Sequence, residues 1–498
     1  MKSTTQFPQN FSRSIRTMAM ALFTLSLAVC AQAQTLNYFA DFNGANGWEP
    51  YGSVTQATDG NFYGTATNGI EGGGGNIFRM TPAGDITSVY KFCSQPNCAD
   101  GAFPQTAPIL GSDGNLYGVT YAGGSGGSAG VFYRLTADGT FKALYSFCAN
   151  FPCPDAGQDP NGIILASDGN FYGTTNYGGG AGVGTFFKIT PAGKYTQLYS
   201  FCSQANCNDG SYSLFPPVQG KDGNFYGTAD SGGTLGGGVF YKITAAGAYT
   251  VIHNFCGYGN CPAGEYAWAY TITQGANGNF YGTTEAGAFE ITATGHYTAL
   301  ASFKHEPEDM GWPGTPLILA SDGNFYGTFI GGGSGSWAPY ATGSIYEITP
   351  AGELKALYDF CPGCNADGST MPGYTPLDPV FQGTDGNFYG TTAYGGIGGP
   401  KGGAGDVGFG TAFQFSNGLS PLVETVPVAG KAGQSVIILG YGLTGTTSVT
   451  FNGVEAEFTV ESDTYIKATV PKGATTGTVS VETPAGPLNS NPQFLVTK

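Results

Sequence analysis

The chain has 498 residues, 84 of them Gly, with 10% charged and 14% aromatic residues. Its 18 Lys and Arg against 34 Asp and Glu give a net charge of −16, which argues against nucleic acid and anionic membranes as partners. Long helical periodicity is absent, so the composition reads as all-β.

Met1–Ala33 reads as an export signal. Lys2, Arg13 and Arg16 form a basic start, Met18–Val29 is an apolar stretch, and Ala31-Gln32-Ala33 is a cleavage site. Leu27-Ala28-Val29-Cys30 offers a competing lipobox, with Val29 a poor residue before the cysteine, so a lipid anchor at Cys30 is the lesser alternative to a secreted protein. Cleavage leaves 18 − 3 = 15 basic residues against 34 acids, a net charge of −19. No later stretch is long and apolar enough for a transmembrane segment.

One heptapeptide organises the rest of the chain. Asp59-Gly60-Asn61-Phe62-Tyr63-Gly64-Thr65 returns at Asp113, Asp168, Asp222, Asn277, Asp322 and Asp385, seven copies in all. In the copy from Gly162 to Phe201, an apolar run leads into the Asp168-Gly169-Asn170 turn. A β-rich run, a Gly-rich loop, an alternating strand, the Pro191-Ala192-Gly193 turn and a last strand complete it. Four antiparallel strands per ~50 residues, repeated seven times, predict a seven-bladed β-propeller over 34–419. Phe and Tyr, on opposite faces, would each pack against a neighbouring blade, and the Gly after them marks a crowded backbone, expected near the axis. Leu36–Phe42 resembles a fourth strand that precedes the first full repeat. It is expected to pair with Thr411–Phe415 and close the ring.

Ten cysteines after the signal fall in pairs: Cys93/Cys98, Cys148/Cys153, Cys202/Cys207, Cys256/Cys261 and Cys361/Cys364. In an exported chain these read as local disulfides, each worth ~2 kcal/mol in the chain-entropy model. The C-x2-C pair lacks a second half-site, so no metal is expected, and no cofactor.

Residues 420–498 lack cysteines and the Asp-Gly-Asn turn. Val436–Leu439, Ser448–Phe451, Tyr465–Val470 and Thr478–Val481, split by Gly and Pro turns, read as a small immunoglobulin-like β-sandwich.

On these residues two resemblances appear. Gln434-Ser435-Val436 through Gly440-Tyr441-Gly442-Leu443, Val449–Gly453 and Ala468-Thr469-Val470-Pro471 resemble the IPT/TIG domain. The heptapeptide, the strand ending in Pro-Ala-Gly and the Phe-Cys loops over Tyr51–Ser416 resemble the GloVer-type tandem repeat of exported bacterial proteins, a choice-of-anchor family. The chain ends at Lys498 without the sorting tail common in that family, which weakens the case for surface anchoring and leaves a protein secreted or associated with the cell surface as the expectation. Neither resemblance implies an enzymatic activity or brings catalytic positions.

Both tight turns fall on one face of the propeller, so the Gly-rich and Cys loops share the other, where binding residues usually sit. Near the Cys loops stand Trp48, Phe103, Tyr212, Tyr266, Trp268 and Trp312. Trp337 and Tyr340 lie in a Gly-rich loop. These aromatics either plug seams between blades or form a crown that stacks on sugar rings. The repeat symmetry breaks most at Lys304–Gly314, where His305, Glu306, Glu308 and Asp309 stand beside Trp312. Paired carboxylates there would suit a carbohydrate-active lyase or hydrolase, but adjacent carboxylates in a solvated loop usually have no chemical role. The leading expectation is a monomeric, non-catalytic extracellular binding or adhesion protein for a polysaccharide or surface protein. A structural envelope or matrix protein without a ligand site is the second.

Overall fold

The computed structural model describes residues 34–497 except 70–72, 127–128, 150–152, 154–156, 258–271, 285–286, 306–307, 310–312, 314, 332–341, 361–372 and 397–407. Seven antiparallel sheets form the blades of a propeller. Blade 4 shows the plan, with strands Val218–Gln219, Phe225–Ala229, Gly236–Ile243 and Tyr249–Cys256 paired in that order. The short first strands touch those of neighbouring blades and therefore lie innermost.

Each residue of the repeated heptapeptide has a physical task. Asp168 Oδ1 accepts the Asn170 N–H at 3.0 Å and its Oδ2 accepts Asn170 Nδ2 at 2.9 Å, closing the turn on itself. Gly169 takes φ +76°, which a side chain would strain. The Tyr172 hydroxyl donates back to Asp168 Oδ2 at 2.9 Å, so its ring is buried with its polar end satisfied. The same Tyr-to-Asp bond recurs at Tyr63, Tyr117, Tyr226, Tyr326 and Tyr389. Across the seams, Tyr172 stacks on Phe225 at 4.1 Å and Tyr281 on Phe325 at 4.2 Å, and Tyr389 lies tilted against Phe62 at 4.1 Å. Phe and Tyr thus pack against opposite neighbours.

The crowding at the next Gly comes from a ring directly across the sheet. A Cβ on Gly282 would stand 2.6 Å from Phe289 Cζ, and one on Gly227 would press on the Tyr241 hydroxyl. Gly282 pairs with Phe289 and Gly227 with Tyr241, so the aromatic lies over its glycine partner. The final Thr ties blades together. Thr174 Oγ1 donates to the Phe215 carbonyl of the next blade at 2.8 Å, and Thr328 to Asp378 at 2.9 Å.

A second clasp has no local sequence signal. Gln219, on an inner strand, accepts the N–H of Ser167 from the preceding blade at 2.8 Å and donates to its own Gly223 carbonyl at 3.1 Å. Gln274 takes Lys221, Gln382 takes Ser321 and Gln56 takes Thr384 in the same way, the last across the point where the ring closes. There Thr35–Asp41 pairs antiparallel with Thr411–Ser416, Leu36 opposite Phe415, as the fourth strand of blade 7.

The C-terminal sandwich packs Glu424–Val426, Ser435–Leu439, Tyr465–Thr469 and Phe458–Val460 in one sheet. Val454–Glu455, Ser448–Phe451, Val479–Thr483 and Gly486–Asn489 form the other. Val436, Ile438, Ile466, Val449 and Val481 fill the space between them. Alternation turns Ile437 and Leu439 outward, and with Val426 they bury against Ala57, Leu110 and Leu116 of the propeller. Tyr441 OH donates to the Gly60 carbonyl at 2.7 Å, Thr464 Oγ1 to Thr58 at 2.6 Å, and Leu422 N–H to Thr384 at 2.9 Å. The sandwich therefore sits on the face that carries the Asp-Gly-Asn turns.

Candidate functional site on the loop face

The inner strand of each blade starts on the face opposite the sandwich. Near that start, five residues other than Gly hold a left-handed backbone: Glu49 (φ 50°), Phe103 (54°), Asp159 (56°), Tyr212 (58°) and Thr375 (60°). All occupy one repeat position, followed by Pro in four of the five blades and by Ser213 in the other. Each gives its N–H to the Gly-rich loop of the preceding blade. Glu49 bonds Phe409, Phe103 bonds Gly74, Asp159 bonds Ala129, Tyr212 bonds Val183 and Thr375 bonds Thr342, at 2.8–3.2 Å. Such conformations cost about 1–3 kcal/mol each, and here the latch between blades offsets that strain.

Two residues further along lie Tyr51, Gln105, Asn161, Leu214 and Leu377. Tyr51 is 37% exposed and Leu214 40%. Around them Phe103 (39%), Tyr177 (45%) and Leu235 (57%) are also open to solvent. Tyr177 and Tyr212 meet edge to face at 6.2 Å.

Carboxylates alternate with these rings. The Tyr121 hydroxyl faces Asp159, and burial pushes that acid up to about 6. The Tyr394 hydroxyl faces Glu49, whose Oε2 accepts Asn68 Nδ2 at 2.5 Å. Asp378 accepts the Gly52 N–H from across the blade 7–blade 1 seam, and burial raises it to about 7. Burial, then the charges of Asp378, Tyr394 and Glu49, raise the Tyr51 phenol. This mouth offers exposed ring faces, side-chain amides and carboxylates. Among the described residues no group of three or more His, Cys, Asp or Glu converges as a metal site.

The Gloeobacter/Verrucomicrobia repeat model matches residues 19–214 and 202–402. The chain belongs to that repeat family. An IPT/TIG domain matches residues 421–496. Among solved structures the repeat protein is similar to a catalytically inactive virginiamycin B lyase from Staphylococcus aureus, at 17% identity over 77% of this chain and 99% of that one, TM-score 0.49. The extracellular domain of a hybrid two-component system from B. thetaiotaomicron is similar at 13% identity over 93% of this chain and 55% of that one, TM-score 0.48. PorZ, a surface component of the type-IX secretion system of Porphyromonas gingivalis, is similar at 15% identity over 92% and 60%, TM-score 0.46. A tandem repeat of this family joined to an IPT/TIG domain fits an extracellular binding or structural protein.

Disulfides join Cys93 to Cys98, Cys148 to Cys153 and Cys202 to Cys207, as extracellular loops would have them, and Cys256 is also disulfide-bonded. Two of these loops hang on a buried aspartate that sequence reasoning missed. Asp209 accepts Tyr199 OH at 2.5 Å, Ser203 N and Oγ at 2.8 Å and Gln204 N at 3.1 Å. Asp100 holds Tyr90, Ser94 and Gln95 likewise. The signal was the spacing itself, Cys-Ser-Gln-x-Asn-Cys-x-Asp-Gly in both repeats.

Of the aromatic candidates, Tyr212 stands at the left-handed position with Phe103. Trp48 does not, because Glu49 occupies it in blade 1. Trp48 lies instead in the strand Trp48–Pro50, opposite Asn68, half-buried with its ring edge-on to Phe409 at 5.9 Å. Tyr266, Trp268, Trp312, Trp337 and Tyr340 lie outside the described residues, as do Cys261, Cys361, Cys364 and the signal segment. In the symmetry-breaking stretch, Lys304–His305 pairs with Glu308–Asp309 as a two-stranded hairpin, while Glu306 lies outside the described residues. No described helix is long and apolar enough to cross a membrane.

Proposed function

We propose that this is a non-catalytic, exported binding protein that holds a polysaccharide on the loop face of its propeller. Residues 34–419 act as the propeller, and 420–498 as a sandwich covering the turn face. One observation carries this reading. Of the six exposed large hydrophobic side chains among the described residues, Tyr51, Phe103, Tyr177, Leu214 and Leu235 stand on the loop face and Val428 in the sandwich. Exposed rings beside amides and carboxylates suit sugar, whose apolar face stacks while its hydroxyls bond. On the opposite face the sandwich packs over the turns of blades 1, 2 and 7, which leaves the loop side as the open approach for a ligand.

The test is intrinsic fluorescence of the mature protein against soluble polysaccharides, with Trp48→Ala and Trp312→Ala alongside. Saturable quenching is expected. A flat response to every polymer overturns binding in favour of a structural envelope role.

A further inference from the structure

Where blade 7 meets blade 1, the mouth is chemically lopsided. Glu49 stands two residues before Tyr51, the Asp378 carboxyl takes the N–H of Gly52, next to Tyr51, from across the seam, and the Tyr394 hydroxyl faces Glu49. Neither carboxylate has a Lys or Arg partner among the described residues. The contrast with the turn face is direct. There Arg79, Arg134, Lys188 and Lys242 stand across the sheet from the Tyr that binds the turn Asp, and Lys188 reaches Asp168 at 2.8 Å.

The junction also holds an unused hydroxyl. Thr65, Thr174 and Thr328 each donate Oγ1 to a carbonyl of the next blade, at Thr106, Phe215 and Asp378. Thr391 occupies the same repeat position in blade 7, where the corresponding carbonyl is that of Gly52. Thr391 is 3% exposed and, like Thr283 at the same position of blade 5, its Oγ1 has no partner. It faces the junction where the Asp378 carboxyl has taken the Gly52 N–H. A buried hydroxyl left without a partner costs about 1–3 kcal/mol, which a ligand that bonds it would recover.

We propose that this junction is a subsite for a protonated amine, so that the polysaccharide held on the loop face carries free amino groups. This rests on the loop-face binding reading. An ammonium has three donors and no acceptor, which matches two carboxylates and the oxygens of Thr391 and Tyr394. The exposed Tyr51 ring offers a face for the sugar and a quadrupole for its charge. The Tyr–carboxylate pair recurs at Tyr121 and Asp159, at the blade 2–blade 3 seam two seams on, and gives a second amine position along the polymer. An N-acetylated sugar would leave these carboxylates facing a neutral amide, losing the charge-assisted bonds.

The experiment titrates the protein calorimetrically with a glucosamine oligomer, its fully N-acetylated counterpart, and an oligolysine of equal charge. The free-amine sugar is expected to bind about tenfold tighter than the acetylated one. Glu49→Gln with Asp378→Asn should erase that preference, while Tyr51→Ala weakens both sugars. Asn at 378 keeps an acceptor for Gly52, and an unchanged melt confirms that the variant is folded. Equal affinity for both sugars, or a preference that survives the double variant, overturns the amine subsite while sparing loop-face binding. Oligolysine binding tighter than the amino sugar overturns the assignment to sugar. Binding of none of the three overturns the subsite, and the polysaccharide panel then decides the broader reading on its own.

Discussion

Asn277 Nδ2 donates to Glu290 Oε1 at 3.1 Å, and with that bond the turn carboxylate of blade 5 has moved across the sheet. The other six turns begin with Asp. Here Glu290, opposite Tyr281, accepts Tyr281 OH at 2.8 Å and Asn279 Nδ2 at 2.6 Å, the bonds Asp makes elsewhere. Blade 3 has the reverse arrangement, Asp168 in the turn and Lys188 across from the Tyr. Asn277→Asp alone should therefore cost about 1 kcal/mol at pH 7, since two carboxylates would share one site. The penalty should shrink by pH 4 as one of them takes a proton. Adding Glu290→Lys should restore stability. Urea melts of the double-mutant cycle check this, and strict additivity of the two changes would contradict it.

The glycine opposite the buried ring makes a sharper demand. Gly282→Ala places a methyl 2.6 Å from Phe289 Cζ, inside a packed seam. A loss of about 1–3 kcal/mol is expected, eased by Phe289→Leu in the same chain. A melt unchanged by Gly282→Ala would show that the ring gives way freely.

Asp209 is fully buried, and although burial pushes its pKa upward, the bonds from Tyr199, Ser203 and Gln204 hold it below its ordinary value. A depressed acid stabilises the fold above its unfolded pKa and loses that contribution as pH falls through the folded one. Asp209→Asn should lower the melting temperature clearly at pH 7 and much less at pH 3. Thermal melts at the two pH values decide it.

Glu424 has the opposite sign. It pairs with Leu439 on the sandwich face that meets the propeller, and burial pushes it up to about 7. A raised acid favours the fold below its unfolded pKa and loses that stability as pH rises through the folded one. The protein should weaken between about pH 4.5 and 7, with Asp378 adding in the same direction. Glu424→Gln should melt higher than the parent at pH 8 and with it at pH 4.

Much of this was legible because a repeat multiplies its signal. Asp168-Gly169-Asn170 announced a turn, and Leu36–Phe42 announced the strand that pairs with Thr411–Ser416. Removing Thr35–Asp41 should leave that strand an open edge and lower the melting temperature sharply. What stayed hidden depends on partners far along the chain. Gln219 reaches Ser167, and Tyr441 reaches Gly60 from another domain; neither leaves a local pattern. The loop-face register also slipped. Trp48 and Phe103 look equivalent by their neighbourhood, but the X-Pro step that sets the left-handed position puts Glu49, not Trp48, in line with Phe103.

The measurement that tests the central claim most directly is calorimetric binding of a polysaccharide to two variants. Tyr51→Ala, Phe103→Ala and Tyr177→Ala together strip the exposed rings of the loop face, whereas Lys188→Ala alters the turn face. The account predicts that the first variant, still folded, loses the binding heat and the second keeps it. Full binding by the first, or loss confined to the second, would contradict a ligand site on the loop face.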